Sequence, residues 1–193
     1  MPQRARTSHP AIIATARALL EQHGPEGLTM RALGRALHVS APSLYFHVES
    51  RDDLISQLIA AGLKDFGLAM REAAGARGNV RERARSLCRA YLAFATESPQ
   101  LFTLIFGPCM TEAGYDHQAA EAAALPVLEL AAEVVGPERA MFLAEALWSL
   151  VHGYVVLRLA DQFRMNPEHE TGLEYAVDTL LEGATLAAVG GAR

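Results

Sequence analysis

Apolar residues in this chain recur every three or four positions, and no stretch shows the strict alternation of a half-buried strand. The pattern predicts an all-α fold of about nine helices. Ser8 caps the first, with Pro10 in its first turn and Ile12, Ile13, Ala16, Leu19 and Leu20 along one face; Gly24 and Pro25 stop it. Thr29 caps a second over residues 30–39, with Leu33 and Leu37 facing inward. Ser40 starts a third over Ala41–Val48, where Pro42 falls in the first turn and costs no intrahelical hydrogen bond. Ser50 starts a fourth, and Asp53 three residues on gives the spacing of a capping box. Leu54, Ile55, Leu58, Ile59, Leu63 and Phe66 form its apolar stripe. Further helices follow from Val80 to near Pro99, over 101–107, up to Val135, over Glu138–Ala160 and over His169–Val189.

The third of these helices stands out. Leu44 and Val48 are four apart and share a face. Ser43, Tyr45 and His47 must then point elsewhere, towards something polar, while Phe46 is expected to be partly buried against the fourth helix. A helix of roughly eight residues, a short turn and another short helix is helix-turn-helix architecture. Met30–Leu37 is the supporting helix and Ala41–Val48 the recognition helix. Leu33, Leu37, Val39 and Leu44 supply a small core, and Gly34 is small where two helices cross closely. His38 occupies a turn position that favours positive φ, which histidine tolerates better than most residues.

Composition sharpens this. At 193 residues with 51% hydrophobic and 20% charged, the chain has ample material for a core. A net charge of −5 does not by itself suggest nucleic-acid binding, and its distribution matters more. Residues 1–48 hold Arg4, Arg6, Arg17, Arg31 and Arg35 against Glu21 and Glu26, a balance of +3 that leaves −8 for the rest. Cys88 and Cys109 are the two cysteines and no secretory signal opens the sequence, which points to a reducing cytoplasm. Cys88, in a helical apolar pattern, reads as a buried inert thiol. The apolar stretch 140–160 is long enough to span a bilayer, but Glu145, His152 and Arg158 would be costly there. A helix buried in a bundle or dimer interface explains it better. The basic run Arg71, Arg77, Arg81, Arg83, Arg85 and Arg89 reads as a solvated face paired with acids.

The segment GLTMRALGRALHVSAPSLYFHVESRDDLISQL, Gly27–Leu58, resembles the DNA-binding head of the TetR family of one-component transcriptional regulators, and the preceding helix from Ser8 to His23 matches it too. LWSLVHGYVVLRLADQF, Leu147–Phe163, resembles the Trp-His-Gly signature of one class of TetR ligand domains. The resemblance implies a DNA-binding domain at 1–50 and a ligand-binding and dimerisation domain at 51–193. It implies a cytoplasmic repressor that binds a near-palindromic double-stranded operator as a homodimer through its last two helices. A small, largely apolar effector would release it. No catalytic centre, metal, cofactor or membrane partner is expected.

Matched position by position, the resemblance places Tyr45 and His47 on phosphate oxygens beside the major groove. Ser40 opens the segment; Ala41 and Ser43 would lie near base edges, Ala41 being suited to a thymine methyl. Thr29 and Arg31 match positions that anchor the backbone or touch an edge base, and Arg51 falls where the family keeps a basic residue for phosphate. Glu49 stands where a lysine is common, and Arg4 and Arg6 form a short basic arm suited to a minor groove. Pocket candidates are Tyr91, Phe94, Phe102, Phe106, Met110, Trp148 and His152, each taken alone reading more readily as plain core than as a ligand contact. Two rival classes are an enzyme using Cys109, Asp116 or His117, and a helical protein-interaction module without a DNA target.

Overall fold

Capping chemistry and apolar spacing produce an all-helical chain. The computed structural model describes residues 8–107, 116–163 and 169–190, so Arg4, Arg6, Cys109 and Met110 lie outside it. Among the described residues there are nine α-helices: α1 His9–Gly27, α2 Met30–Leu37, α3 Ala41–Leu44, α4 Arg51–Ala74, α5 Val80–Glu97, α6 Pro99–Phe106, α7 His117–Val135, α8 Ala140–Leu159 and α9 His169–Gly190. A single 3-10 turn, Pro137–Arg139, precedes α8.

Two helices differ from the sequence expectation by more than a residue or two at an end or in their course. In α1, Gly24 leaves the helical region (φ 67°, ψ −179°), and Pro25 then begins one more turn that ends at Gly27. The kink falls at the expected stop; Pro25 lacks an N–H but is well placed to open a fresh turn. The recognition helix is much shorter than Ala41–Val48. Only Ala41–Leu44 is α-helical, and Tyr45–His47 form a turn. The His47 and Val48 N–H groups both donate to Leu44 O, at 2.8 and 3.0 Å. That sharing swings Val48 inward, where it is buried with Leu44.

The chain divides into two compact units. The first takes the described residues up to Asp65 together with those of 98–119. Its core is built from Ile12, Ala16 and Leu20 of α1, Leu33 and Leu37 of α2, Leu44, Val48, and Leu54, Leu58 and Leu63 of α4, all buried. Each such leucine or isoleucine contributes roughly 1.5–3 kcal/mol by leaving water. α6 joins this unit closely: a Cβ on Gly62 of α4 would sit 2.7 Å from Ile105 Cδ1 and 3.1 Å from a Leu101 methyl. Glu21 of α1 caps α6, its carboxylate accepting from the Gln100 and Leu101 N–H groups at 3.1 and 2.9 Å. Arg17 joins Asp65 of α4 at 2.6 Å and Ser98 Oγ at 3.2 Å.

The second unit takes residues 66–97 and the described part of 120–193. Here α5 packs with α8 and α9, and α8 with α9. α8 buries Ala140, Leu143, Leu147, Val151 and Val155 on one stripe. Its other side leaves Met141, Phe142, Trp148, Val156 and Leu157 exposed. By length and composition the stretch Pro137–Leu159 could cross a membrane, a test that a core helix passes equally. Cys88 is buried and desolvation pushes its thiol up to about 12, so it stays protonated and inert.

Candidate nucleic-acid interface and aromatic cluster

The head starts from its turn. His38 takes the left-handed conformation (φ 57°, ψ 41°) that ends α2. Val39 N–H returns to Gly34 O at 2.9 Å, and a Cβ on Gly34 would meet Val39 O at 3.0 Å and Ala41 N at 3.3 Å. Glycine is therefore what lets the second arm of the motif lie on α2. Thr29 caps α2, its Oγ1 accepting from the Ala32 N–H at 3.1 Å. Ser50 Oγ accepts from the Asp53 N–H at 3.0 Å, and Asp53 Oδ2 accepts from the Glu49 N–H at 2.8 Å, a capping box reaching one residue further back than usual. The acidic pair after the recognition segment thus serves helix initiation.

These constraints decide which side chains are presented. Thr29, Arg31, Ser40, Tyr45 and His47 are exposed, while Ala41 and Ser43 are half-buried. Ser43 Oγ donates to Ser40 O at 2.6 Å. Arg31 and Arg35 have no acidic partner among the described residues. Phe46 corrects the sequence reading: it is 89% exposed and does not pack on α4. The shortened helix is the reason, since the turn at 45–47 carries Phe46 outward between Tyr45 and His47. Arg51 is half-buried, with Nε donating to Leu28 O at 2.9 Å and Nη2 to Pro25 O at 2.6 Å.

The pocket candidates fall into separate places. Tyr91, Phe94, Trp148 and His152 form one cluster in the second unit. Tyr91 OH and His152 Nδ1 are 2.9 Å apart, and the Trp148 and His152 rings are 5.9 Å apart. Phe66, read from sequence as core, links the cluster with ring centroids 5.2 Å from both Tyr91 and Phe94. Desolvation pushes the Tyr91 hydroxyl up to about 12, the Trp148 indole hydrogen bond acting against it, and holds His152 below the ordinary imidazole range. At neutral pH the cluster is uncharged and offers polar groups within aromatic walls. Trp148 itself is half exposed. Phe102 and Phe106 belong to the first unit, their rings tilted by 48° with centroids 5.1 Å apart, and Met110 lies outside the described residues. A shallow apolar groove of about 460 Å³ runs between α8 and α9, lined by Ala146, Leu150, Tyr175, Ala176, Thr179 and Leu180. None of these was a sequence candidate.

Comparison with known proteins decides the family. Residues 12–58 match the model of bacterial regulatory proteins of the tetR family, and 84–180 match the tetracyclin repressor-like C-terminal domain. An uncharacterised HTH-type transcriptional regulator of Mycobacterium tuberculosis is 31% identical over 160 residues, covering 80% of this chain and 72% of its own. The chain belongs to the TetR family.

Further similarities extend over most of the chain. A second uncharacterised HTH-type regulator, from Bacillus subtilis, is 24% identical over 95% of both chains. In structure, a protein of unknown function from Rhodococcus superposes with a TM-score of 0.81 at 24% identity, over 91% of this chain and 94% of its own. A TetR variant from Acinetobacter baumannii, in complex with minocycline, has the same fold with a TM-score of 0.64 at 22% identity, over 90% of this chain and 94% of its own. The chain is therefore a DNA-binding transcriptional regulator of the TetR family. Every candidate DNA residue from Thr29 to Arg51 falls inside the matched head. Its relatives are regulators, a role that needs no catalytic centre. Of the residues weighed for an enzyme, Asp116 accepts from the Ala119 N–H at 2.9 Å and so starts α7. No metal-holding cluster occurs among the described residues.

Proposed function

We propose that this TetR-family chain is a cytoplasmic, non-enzymatic repressor. Residues 1–50 bind a near-palindromic operator, and 51–193 bind a small, largely apolar effector and form a homodimer. The observation that carries the DNA reading is the exposed set Arg31, Tyr45, Phe46 and His47 on a head whose other side is a closed leucine core. Tyr45 and His47 contact phosphates, Arg31 and Thr29 anchor the backbone, and Ser40, Ala41 and Ser43 face the bases. Phe46 adds an apolar contact to a deoxyribose or a thymine methyl, since an aromatic ring this exposed gains most by leaving water on binding. Two such heads about 34–36 Å apart read the two halves of the operator.

The dimer reading rests on α8 and α9, whose exposed Phe142 (72%), Trp148, Tyr175 (74%), Leu186 and Val189 are the kind of apolar surface that a second copy covers. The effector reading rests on the neutral aromatic cluster around Tyr91 and His152, with Phe102, Phe106 and Met110 as further candidates. A small molecule bound by a fold neighbour supports it. An effector releases DNA only by binding the two head arrangements with different affinity. The deciding experiment is a salt titration of binding to DNA from upstream of the protein's own coding region, against scrambled DNA. Tight, salt-sensitive, dimer-sized protection of the first is expected. Equal and weak binding to both would overturn the operator reading.

A further inference from the structure

Arg51 is where sequence resemblance and structure part. Its family position suggests a phosphate contact, yet its guanidinium is turned inward on the end of α1. Nε donates to Leu28 O at 2.9 Å and Nη2 to Pro25 O at 2.6 Å, while Nη1 lies 4.0 Å from Asp52 Oδ1. The electrostatics favour that direction. Arg51 is the first residue of α4, where the helix dipole disfavours a cation. The carbonyls closing the last turn of α1 carry the opposite partial charge and need donors. Pro25 O already receives the Leu28 N–H at 3.3 Å, and Leu28 is fully buried, so the guanidinium completes a packed turn.

The two anchors bracket the DNA-binding motif. Leu28 immediately precedes Thr29, the cap of α2, and Arg51 opens α4 inside the capping box that follows the recognition segment. We infer that Arg51 is a positioning residue of the head, a brace that fixes the turn presenting Thr29 and Arg31, and is not one of its phosphate contacts. With Nε and Nη2 committed to these carbonyls, the guanidinium makes no phosphate contact of its own and releases no counterion on binding. The planar fork is essential. Lysine carries the same charge but cannot donate to both carbonyls from these two positions. This inference rests on the DNA-binding role of the head.

The test compares Arg51→Lys, Arg51→Met and Arg31→Ala with the wild type, on the upstream DNA fragment across a range of salt. Both Arg51 variants should bind about tenfold more weakly at every salt concentration, with the wild-type slope. Arg31→Ala should instead lower the slope by about one. In the free proteins, amide exchange at Leu28 and Thr29 should rise in both Arg51 variants while the rest of the chain exchanges as in the wild type. Wild-type binding by Arg51→Lys, or a slope lowered by about one in Arg51→Met, would overturn the brace. If the wild type binds no DNA, the operator reading fails separately. Unchanged exchange at 28–29 in Arg51→Met would then still overturn the brace.

Discussion

Arg31 and Arg35 on α2 and Arg81, Arg85 and Arg89 on α5 share one spacing, four residues apart on a helix, and are used in opposite ways. The α2 pair faces outward with no acidic partner among the described residues. The α5 series meets a matching acidic series on α9. Arg89 joins Glu174 at 2.8 Å, Arg85 takes Asp178 with two nitrogens, and Arg81 lies 3.8 Å from both Asp178 and Glu182. Arg83, on another face of α5, is held by Glu133 of α7. Hydrogen bonding to these arginines lowers Asp178 and Glu133 below the ordinary carboxylate range, and the same bonds raise Arg85 and Arg83. An arginine row is thus a nucleic-acid signal only when the fold places no acid opposite it. The net charge of the whole chain hides that distinction.

The largest expected effect removes the support beneath the exposed set. Leu44→Ala should cost about 2–5 kcal/mol of stability and abolish DNA binding. Urea unfolding read by helicity measures the loss, and fluorescence of Trp148, the sole tryptophan, should stay native in the folded body. The next contrast is direct. Arg31→Ala should weaken DNA binding by roughly 1–3 kcal/mol, whereas Arg83→Ala should leave both affinity and salt slope unchanged. Equal losses in the two would erase the comparison.

A smaller effect belongs to the paired series. Arg85→Ala should lower the melting temperature at low salt, by an amount that shrinks as salt is added, with operator affinity unaffected. The smallest lies in the aromatic cluster. Desolvation keeps His152 below its ordinary value of 6.5, so the unfolded chain takes up a proton first on acidification. The contribution of His152 to stability is full above that value and is lost as pH falls from there through the lower folded value. Melting curves from neutral to mildly acidic pH should show this loss in the wild type and a reduced loss in His152→Gln. Superimposable profiles would show that the imidazole is not titrating against burial.

Much of the fold was legible because burial recurs at helical spacing. Ile12, Ala16 and Leu20, or Leu54, Leu58 and Leu63, announce their inward faces in any order of reading. Local chemistry was equally readable: the Thr29 cap, the Ser50–Asp53 spacing and the positive φ at His38 each depend on residues a few positions away. The length of the recognition helix was not. Whether Leu44 O takes one N–H or two depends on how far inward Val48 must swing to reach the core, and the exposure of Phe46 follows from that. Phe66 belongs to the same class. Its apolar stripe position was plain, but its place against Tyr91 and Phe94 required α5 to arrive.

The amino-acid sequence by itself determined where helices begin, which faces they bury and which family motif the head carries, because these rest on spacing, capping and short-range sterics. The tertiary structure alone decided the fate of each charge and exposed ring. Arg85 finds Asp178 across 93 residues of chain, and Arg51 finds Leu28 O across 23. A charged group is stabilised by whatever lies opposite it in space, and only the packing of the helices sets what that is.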